Sequence, residues 1–384
     1  MNFEFATATR IIFGAGKLGE AGKLVAGFGS RALILTGSDP THFQQLAPIL
    51  SENGVTAVQM RVNGEPSTRL VQEGVALARR HACDVVVGLG GGSAMDAGKA
   101  IAALLTNEGD LYDYLEVVGK GKNLVHPSAP YVAIPTTAGT GTEVTRNAVL
   151  SVPEYKVKVS LRSQYMLARL AIVDPALTYS MPPLVTASTG LDALTQLIEP
   201  FVCNQPNPVV DAICRAGLGL VVRSLMRAYR DGGNLSARED MSLAALFSGM
   251  SMANARLGGV HGFAGVVGGT LEAPHGILCA RLLPFVMSMN IRALSQRDPR
   301  SEVLQRYDEV ARILTGDFHA KAEDGESWIN AMCADLQVPP LSRYGLKREQ
   351  FPEIIEKSMK ASSMKGNPVT LTREELAEIL ELAL

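Results

Sequence analysis

The chain has 384 residues, 47% hydrophobic and 19% charged, with a formal net charge of −2. This composition excludes a disordered chain, and the length predicts two domains rather than one core. The near-neutral charge gives no electrostatic footing for nucleic acid or an anionic membrane surface.

The five cysteines form no CxxC pair. That pattern points to free thiols in a reducing compartment and away from a disulfide framework or thiolate metal cage. MNFEFATATR at the N-terminus has an acidic residue and no apolar segment of signal-peptide type, so a cytoplasmic protein is expected. The longest apolar run, 241–255, is broken by Ser and Gly and is too short to cross a bilayer, so no membrane partner is expected.

Gly14, Gly16 and Gly19 of GAGKLG match GxGxxG, the first feature met in chain order. Such a loop binds a dinucleotide only after a buried strand, before a helix, and with an acidic residue about 20 positions on. Here only the short run RIIF leads in, and the acidic position falls near Asp39, after another strand. The favoured reading is a tight turn. Next come a strand over 32–37, a helix over 41–53, a strand over 55–60, a helix from Pro66-Ser67 to about His81, and a strand over 84–90. The last is a continuous apolar run of the kind buried on both faces. A helix, SAMDAGKAIAALL, follows directly, and YVAIPTT and LAIVDP read as further strands. This alternation predicts a parallel sheet with helices on both faces. Beyond residue 180 helical periodicity runs almost to the end with no convincing strand, and Thr372-x-x-Glu375 forms a capping box before the last helix. The chain thus divides into an α/β domain, 1–180, and an all-helical domain, 181–384.

Two loops and two residue pairs carry chemistry. Gly90, Gly91 and Gly92 end the third main strand, and Ser93 stands where a helix N-cap is expected. Backbone N–H groups there can close on an anion without obstruction from Cβ atoms, which suits a pyrophosphate. Asp96 and Lys99, in the first turns of that helix, read most simply as a capping residue and a solvated face. The threonine-rich loop 134–145 suits a ribose or a nicotinamide amide, or is simply a polar hairpin. In the helical half, Asp192 and Gln196 are four residues apart and share one helix face. His261 and His275 lie 14 residues apart, too far for one site in a straight helix, but the glycines and proline between them allow a reversal. Two imidazoles and a carboxylate suit Zn²⁺ or Fe²⁺; two unrelated histidines remain the alternative on these residues alone.

Taken in order, GLGGGSAMDAGKA, PTTAGTGTEVT, AIVDPALT, GLDALTQLIEPFV, GGVHGFAG and PHGILCARLLP resemble the iron-containing (group III) alcohol dehydrogenases, of the dehydroquinate synthase-like superfamily. The resemblance spans nearly the whole chain, from IIFGAGKLG to NPVTLTREELAEIL. It implies a Rossmann-like dinucleotide-binding α/β domain, an all-α metal-binding domain, and an active site in the cleft between them. It further implies a pyrophosphate on Gly91, Gly92 and Ser93 with Asp96 beside them, and a nicotinamide side lined by Thr136, Thr137 and Thr140. Lys158 would be the lysine that contacts the cofactor. The implied metal set is Asp192, Gln196, His261 and His275. The family's usual Asp-x-x-x-His has become Asp192-x-x-x-Gln196, and a second histidine often found four residues after the ligand is Gly265 here. A Gln carbonyl is a harder and weaker ligand than imidazole. Glycerol dehydrogenase, of the same superfamily, is similar in using one Asp and two His for zinc.

The function so implied is NAD(P)-dependent interconversion of an alcohol with an aldehyde or ketone, by a cytoplasmic homodimer acting on a small molecule. Proton delivery would fall to a water chain or a cofactor ribose hydroxyl. Gly37 and Ser38, after the strand at 32–36, leave room and a donor for a 2′-phosphate, so NADP is mildly favoured, while Asp39 keeps NAD open. Residues around Phe263, Val266 and Val267 are expected to line an apolar substrate pocket. The alternatives are a metal-independent reductase similar to maleylacetate reductases and a lyase similar to dehydroquinate synthase.

Overall fold

The computed structural model describes residues 2–155, 157–271 and 273–384. Contacts group Ala6–Ser180 into one compact unit and Met181–Leu384, with the first residues of the chain, into another.

In the first unit six strands form one parallel sheet: β1 (Ile11–Phe13), β2 (Arg31–Thr36), β3 (Thr56–Arg61), β4 (Val85–Gly90), β5 (Tyr131–Pro135) and β8 (Leu170–Val173). Their spatial order is β1-β8-β5-β4-β2-β3. β6 (Asn147–Val152) and β7 (Val157–Arg162) make a separate antiparallel pair. The helices are α1 (Ala21–Ala26), α2 (Thr41–Glu52), α3 (Thr68–Arg80), α4 (Gly92–Thr106) and the single turn α5 (Leu111–Tyr114). β4 and the Ala32–Leu35 stretch of β2 are apolar throughout because helices cover both faces of the sheet. Ile34, Val85, Val87, Ile134 and Ile172 pack with Val25, Leu46 and Leu50 from α1 and α2. α3 buries Val71, Gly74, Val75 and Ala78, the spacing of one helical face, and Ser67 caps it by accepting from Leu70 N at 3.2 Å.

The sheet order reverses between two adjacent strands. β2 leads outward to β3, whereas β4 leads the other way to β5. The carboxyl ends of β2 and β4 are therefore a topological switch point, the place where open α/β sheets bind ligands. The glycine loop after β1 lies at the sheet edge instead. Its backbone N–H groups at Gly16 and Leu18 already donate to the Asp174 carboxylate at 3.0 and 2.9 Å. The anion this turn holds is the protein's own.

Lys99 departs from its expected solvated face. It is fully buried, pairs with Asp96 at 3.2 Å, and donates to Thr142 O, Thr145 Oγ1 (2.8 Å) and Asn147 O. α4 is thereby tied to the threonine loop and β6. Within that loop Glu143 is only 3% exposed. Burial pushes its carboxyl up to about 7 from an ordinary 4.5, against the opposing pull of Lys99. Below about pH 4.5 the group is protonated whether folded or not. Between there and pH 7 the unfolded chain ionises while the folded one keeps its proton, so stability falls as pH rises, by roughly 3 kcal/mol in all. Glu143→Gln is expected to raise the urea midpoint at pH 8 and leave it unchanged near pH 4.5; equal gains at both would contradict this burial account.

The second unit is helical throughout its described residues: α6 (Pro183–Val202), α7 (Pro208–Arg230), α8 (Leu235–Asn254), α9 (Gly259–Thr270), α10 (His275–Arg297), α11 (Glu302–Thr315), α12 (Ala322–Asp335), α13 (Phe351–Lys360) and α14 (Arg373–Ala383). The capping box of α14 forms as expected, with Thr372 N donating to Glu375 Oε2 at 2.7 Å and Thr372 Oγ1 accepting from Glu375 N. α10 is long and apolar enough to cross a membrane, which the run at 241–255 did not suggest, but 78% of its apolar window is buried inside the protein. It packs on α6 so closely that a Cβ at Gly276 would stand 2.2 Å from Ser188 O. That approach places the first turn of α10 beside the middle of α6.

Candidate functional site

α6 presents Asp192, Gln196 and Glu199 at spacings of four and three residues, all on one face and all buried. α9 contributes His261, and α10 opens with His275. The two imidazoles end with ring centroids 5.5 Å apart. His261 Nε2 lies 3.6 Å and His275 Nε2 3.9 Å from the same oxygen, Asp192 Oδ1. The structure thus brings together the three residues expected to converge. One further turn along α10, Cys279 Sγ stands 3.6 Å from His275 Nε2 and 3.8 Å from His261 Nε2. The four donor atoms all lie within 4.8 Å of one another.

Asp192 Oδ1 is buried and has no hydrogen-bond partner among the described residues. An orphaned buried carboxylate oxygen is costly unless a cation or donor satisfies it, so this donor set fits a divalent metal. Burial works to raise the Asp192 pKa, but His261, His275 and Gln196 overcome it and hold the carboxyl below its ordinary range. Burial likewise opposes charge on His261, yet Cys279, Asp192 and Glu199 outweigh it and hold that imidazole well above its usual value. The Cys279 sulfur, ahead of Asp192, raises His275 to about 9. A cation and protons would compete for the same two Nε2 lone pairs.

Glu199, which sequence reasoning passed over, fixes the orientation of His261. The imidazole Nδ1–H donates to Glu199 Oε2 at 2.6 Å, and Val260 N donates to Glu199 Oε1 at 2.7 Å. With Nδ1 carrying the proton, Nε2 is left as the free donor facing Asp192 and Cys279. The signal was present in the i, i+7 spacing of Asp192 and Glu199. Glu199→Gln is expected to weaken Zn²⁺ or Fe²⁺ binding about 10–100-fold in a chelator competition, as loss of an outer carboxylate does elsewhere; unchanged affinity would remove Glu199 from the site. Gln196 sits differently from expectation. Its Oε1, thought to face a cation, accepts from Ser248 Oγ at 3.1 Å, and Gln196 helps hold the Asp192 carboxyl below its ordinary range.

The other expected site lies at the switch point of the first unit. The cap residue of α4 is Gly91, not Ser93, which falls inside the first turn; no side chain caps this helix end. Its first backbone N–H groups are therefore left without an intrahelical partner. Gly37 abuts Gly90: a Cβ on Gly90 would stand 3.1 Å from Gly37 N. A Cβ on Gly91 would stand 3.3 Å from Thr137, and one on Gly92 3.1 Å from Thr140. Thr136 N donates to Gly90 O at 2.9 Å. So Gly37, the three glycines and the threonine loop form one wall, with Ser38 exposed at its rim. Asp96 is drawn away into its ion pair with Lys99 and accepts from Val149 N at 3.1 Å. Lys158 on β7 pairs with Glu65 at 3.1 Å. Asp39 is engaged by Thr41, whose N and Oγ1 donate to it at 2.9 and 2.6 Å and lower its pKa.

Of the residues expected near the substrate, Phe263 and Val267 are fully buried one turn apart on α9, and Val266 is half-buried. Gly265 is exposed, with open space where a side chain would project.

The description "Iron-containing alcohol dehydrogenase" matches residues 8–175, and "Fe-containing alcohol dehydrogenase family, C-terminal" matches residues 186–384. A 1,3-propanediol dehydrogenase of Klebsiella pneumoniae is 37% identical over 337 residues, covering 87% of this chain and 85% of the relative. The crystal structure of a 1,3-propanediol oxidoreductase superposes with a TM-score of 0.93 at 33% identity over all of both chains. A sulfoacetaldehyde reductase of Bifidobacterium kashiwanohense, solved in complex with NAD⁺, gives 0.87 at 27% identity, covering 99% of this chain and 98% of the other.

Proposed function

Because this chain belongs to the iron-containing alcohol dehydrogenase family, we propose that Asp192, His261 and His275 hold its divalent metal and that the wall at Gly37 and Gly90 to Gly92 holds its nicotinamide dinucleotide. The chain is an oxidoreductase that interconverts an alcohol with an aldehyde or ketone using NAD(P). The observation that carries the site assignment is the buried Asp192 Oδ1, without a partner and faced by two imidazole nitrogens.

When bound, the cation supplies Lewis acidity at a carbonyl oxygen and the nicotinamide supplies hydride. The chain supplies orientation. Glu199 holds the Nδ1 proton of His261 and so keeps Nε2 available, while Gln196 and Ser248 fix the carboxylate of Asp192. His275 is the accessible member, with 41% of its side chain exposed, so substrate approaches on that side. The bare backbone N–H groups at the start of α4, flanked by Thr137 and Thr140, receive the pyrophosphate. Ser93, Thr136 and Ser38 line the same wall, and Asp96 acts through Lys99 rather than on the cofactor. Lys158 would reach a cofactor only by leaving Glu65. Gly265 has no proton to give, which leaves water or a ribose hydroxyl for that step.

Asp39 is engaged in holding the start of α2, and Ser38 is free at the rim, so acceptance of NADP(H) alongside NAD(H) is proposed. A homodimer is proposed on the family resemblance, to be checked by light scattering. A metal-independent reductase is the weaker reading, because a site that had abandoned its cation would have no use for a buried, unsatisfied carboxylate.

The test is NAD(P)H oxidation with a panel of small aliphatic aldehydes on metal-quantified enzyme. Activity that rises with metal occupancy and vanishes on chelation supports the assignment; full activity in metal-free protein refutes it.

A further inference from the structure

Resting on that metal reading, we propose that Cys279 is a fourth protein donor to the cation, its sulfur taking the place that Gln196 leaves. The geometry is already close to a coordination shell. Ligand distances of about 2.0–2.2 Å for nitrogen and oxygen and about 2.3 Å for sulfur give a tetrahedron whose edges are roughly 3.3–3.8 Å. The observed edges are 3.6 Å from Sγ to His275 Nε2 and 3.8 Å to His261 Nε2, with 3.6 and 3.9 Å from those nitrogens to Asp192 Oδ1. Four atoms of four residues on three helices thus lie within 4.8 Å of one another, and these four edges are within about 0.1 Å of that range.

The surroundings of Cys279 differ from those of the other buried thiols. Cys203 donates to Gln205 O, Cys214 to Ser251 Oγ and Cys333 to Ala280 O, each an ordinary oxygen acceptor. The polar contacts of Cys279 are the two imidazole nitrogens that face Asp192. Its i, i+4 relation to His275 fixes both donors on one face of α10, and the Gly276 contact with Ser188 fixes that face against α6. The unpartnered Asp192 Oδ1 is the independent sign that this cluster is built for a cation. A sulfur donor makes the site softer than one of nitrogen and oxygen alone and biases it toward Zn²⁺ or Fe²⁺ over Mg²⁺ or Mn²⁺.

The experiment loads the full-length protein with Co²⁺ at one equivalent per chain and records its near-ultraviolet spectrum. The expected result is a sulfur-to-cobalt charge-transfer band, kept in Cys214→Ser and Cys333→Ser and lost in Cys279→Ser while Co²⁺ is still taken up. Zn²⁺ affinity of Cys279→Ser should fall by more than the roughly 10–100-fold that an outer partner costs. Stoichiometric Co²⁺ without that band in the wild type overturns the Cys279 assignment and leaves the three-donor reading standing; this needs no variant and so does not depend on Cys279→Ser folding. A band that survives in Cys279→Ser overturns it equally. Failure of the wild type to take up any Co²⁺ would remove both readings together.

Discussion

Asp192→Ala is expected to yield a folded protein that retains less than a tenth of an equivalent of metal and turns over at least about 10³-fold more slowly. The carboxylate is the anionic donor that both imidazoles face, and loss of Lewis-acid stabilisation amounts to several kcal/mol in the transition state. The stability signature separates this from simple damage. In the metal-free protein the burial cost of the Asp192 carboxylate is offset by His261, His275 and Gln196, so its removal takes away only a modest net stabilisation. Metal-free Asp192→Ala should therefore melt within a few degrees of metal-free wild type. Added Zn²⁺ should raise the melting temperature of the wild type alone, since a ligand stabilises only the state that binds it. Wild-type metal content and turnover in the variant would remove Asp192 from the site.

Gly91→Val tests the other half of the proposal. Gly91 has φ −78° and ψ −171°, an extended conformation open to any residue, so the backbone is not strained by the change. The side chain instead enters the space beside Thr137, 3.3 Å from the nearest atom at Cβ alone, and covers the first N–H groups of α4. Losing two charge-assisted hydrogen bonds at about 1.5–3 kcal/mol each predicts a fall in kcat/KM for NAD(P)H of about 10²–10⁴-fold. Metal content should be unaffected, because the cation ligands belong to the other compact unit. Loss of metal along with cofactor would show general unfolding instead.

The α/β half was legible to within a residue or two at most boundaries because its strands are uninterrupted apolar runs and its helices begin at polar or glycine signals. The antiparallel pair β6 and β7 escaped notice, since NAVLSV and VKVSLR are short and half polar, and their partner is each other rather than the sheet. The accidental GxGxxG was separable from the glycine turn at the switch point by strand context alone; what the sequence could not reveal is that Asp174, some 160 residues away, fills it. In the helical half, the convergence of Asp192, His261 and His275 was readable only with the family resemblance, because nothing in local periodicity dictates how α9 and α10 fold back on α6. Cys279 was counted as one more free thiol, although its spacing from His275 was visible. Lys99 shows the limit most plainly: a lysine on an α4 turn reads as solvated until the loop that buries it is in place.

α10 carries a consequence for biosynthesis. This 23-residue helix, with a mean hydropathy of 1.5 over its apolar window, would satisfy on leaving the ribosome the length rule by which insertion machinery recognises a bilayer-crossing segment. Its packing partner α6 is encoded earlier and emerges first, so the nascent chain already holds a surface on which this stretch can fold. Translation order thus offers the stretch a protein neighbour before lipid can compete for it.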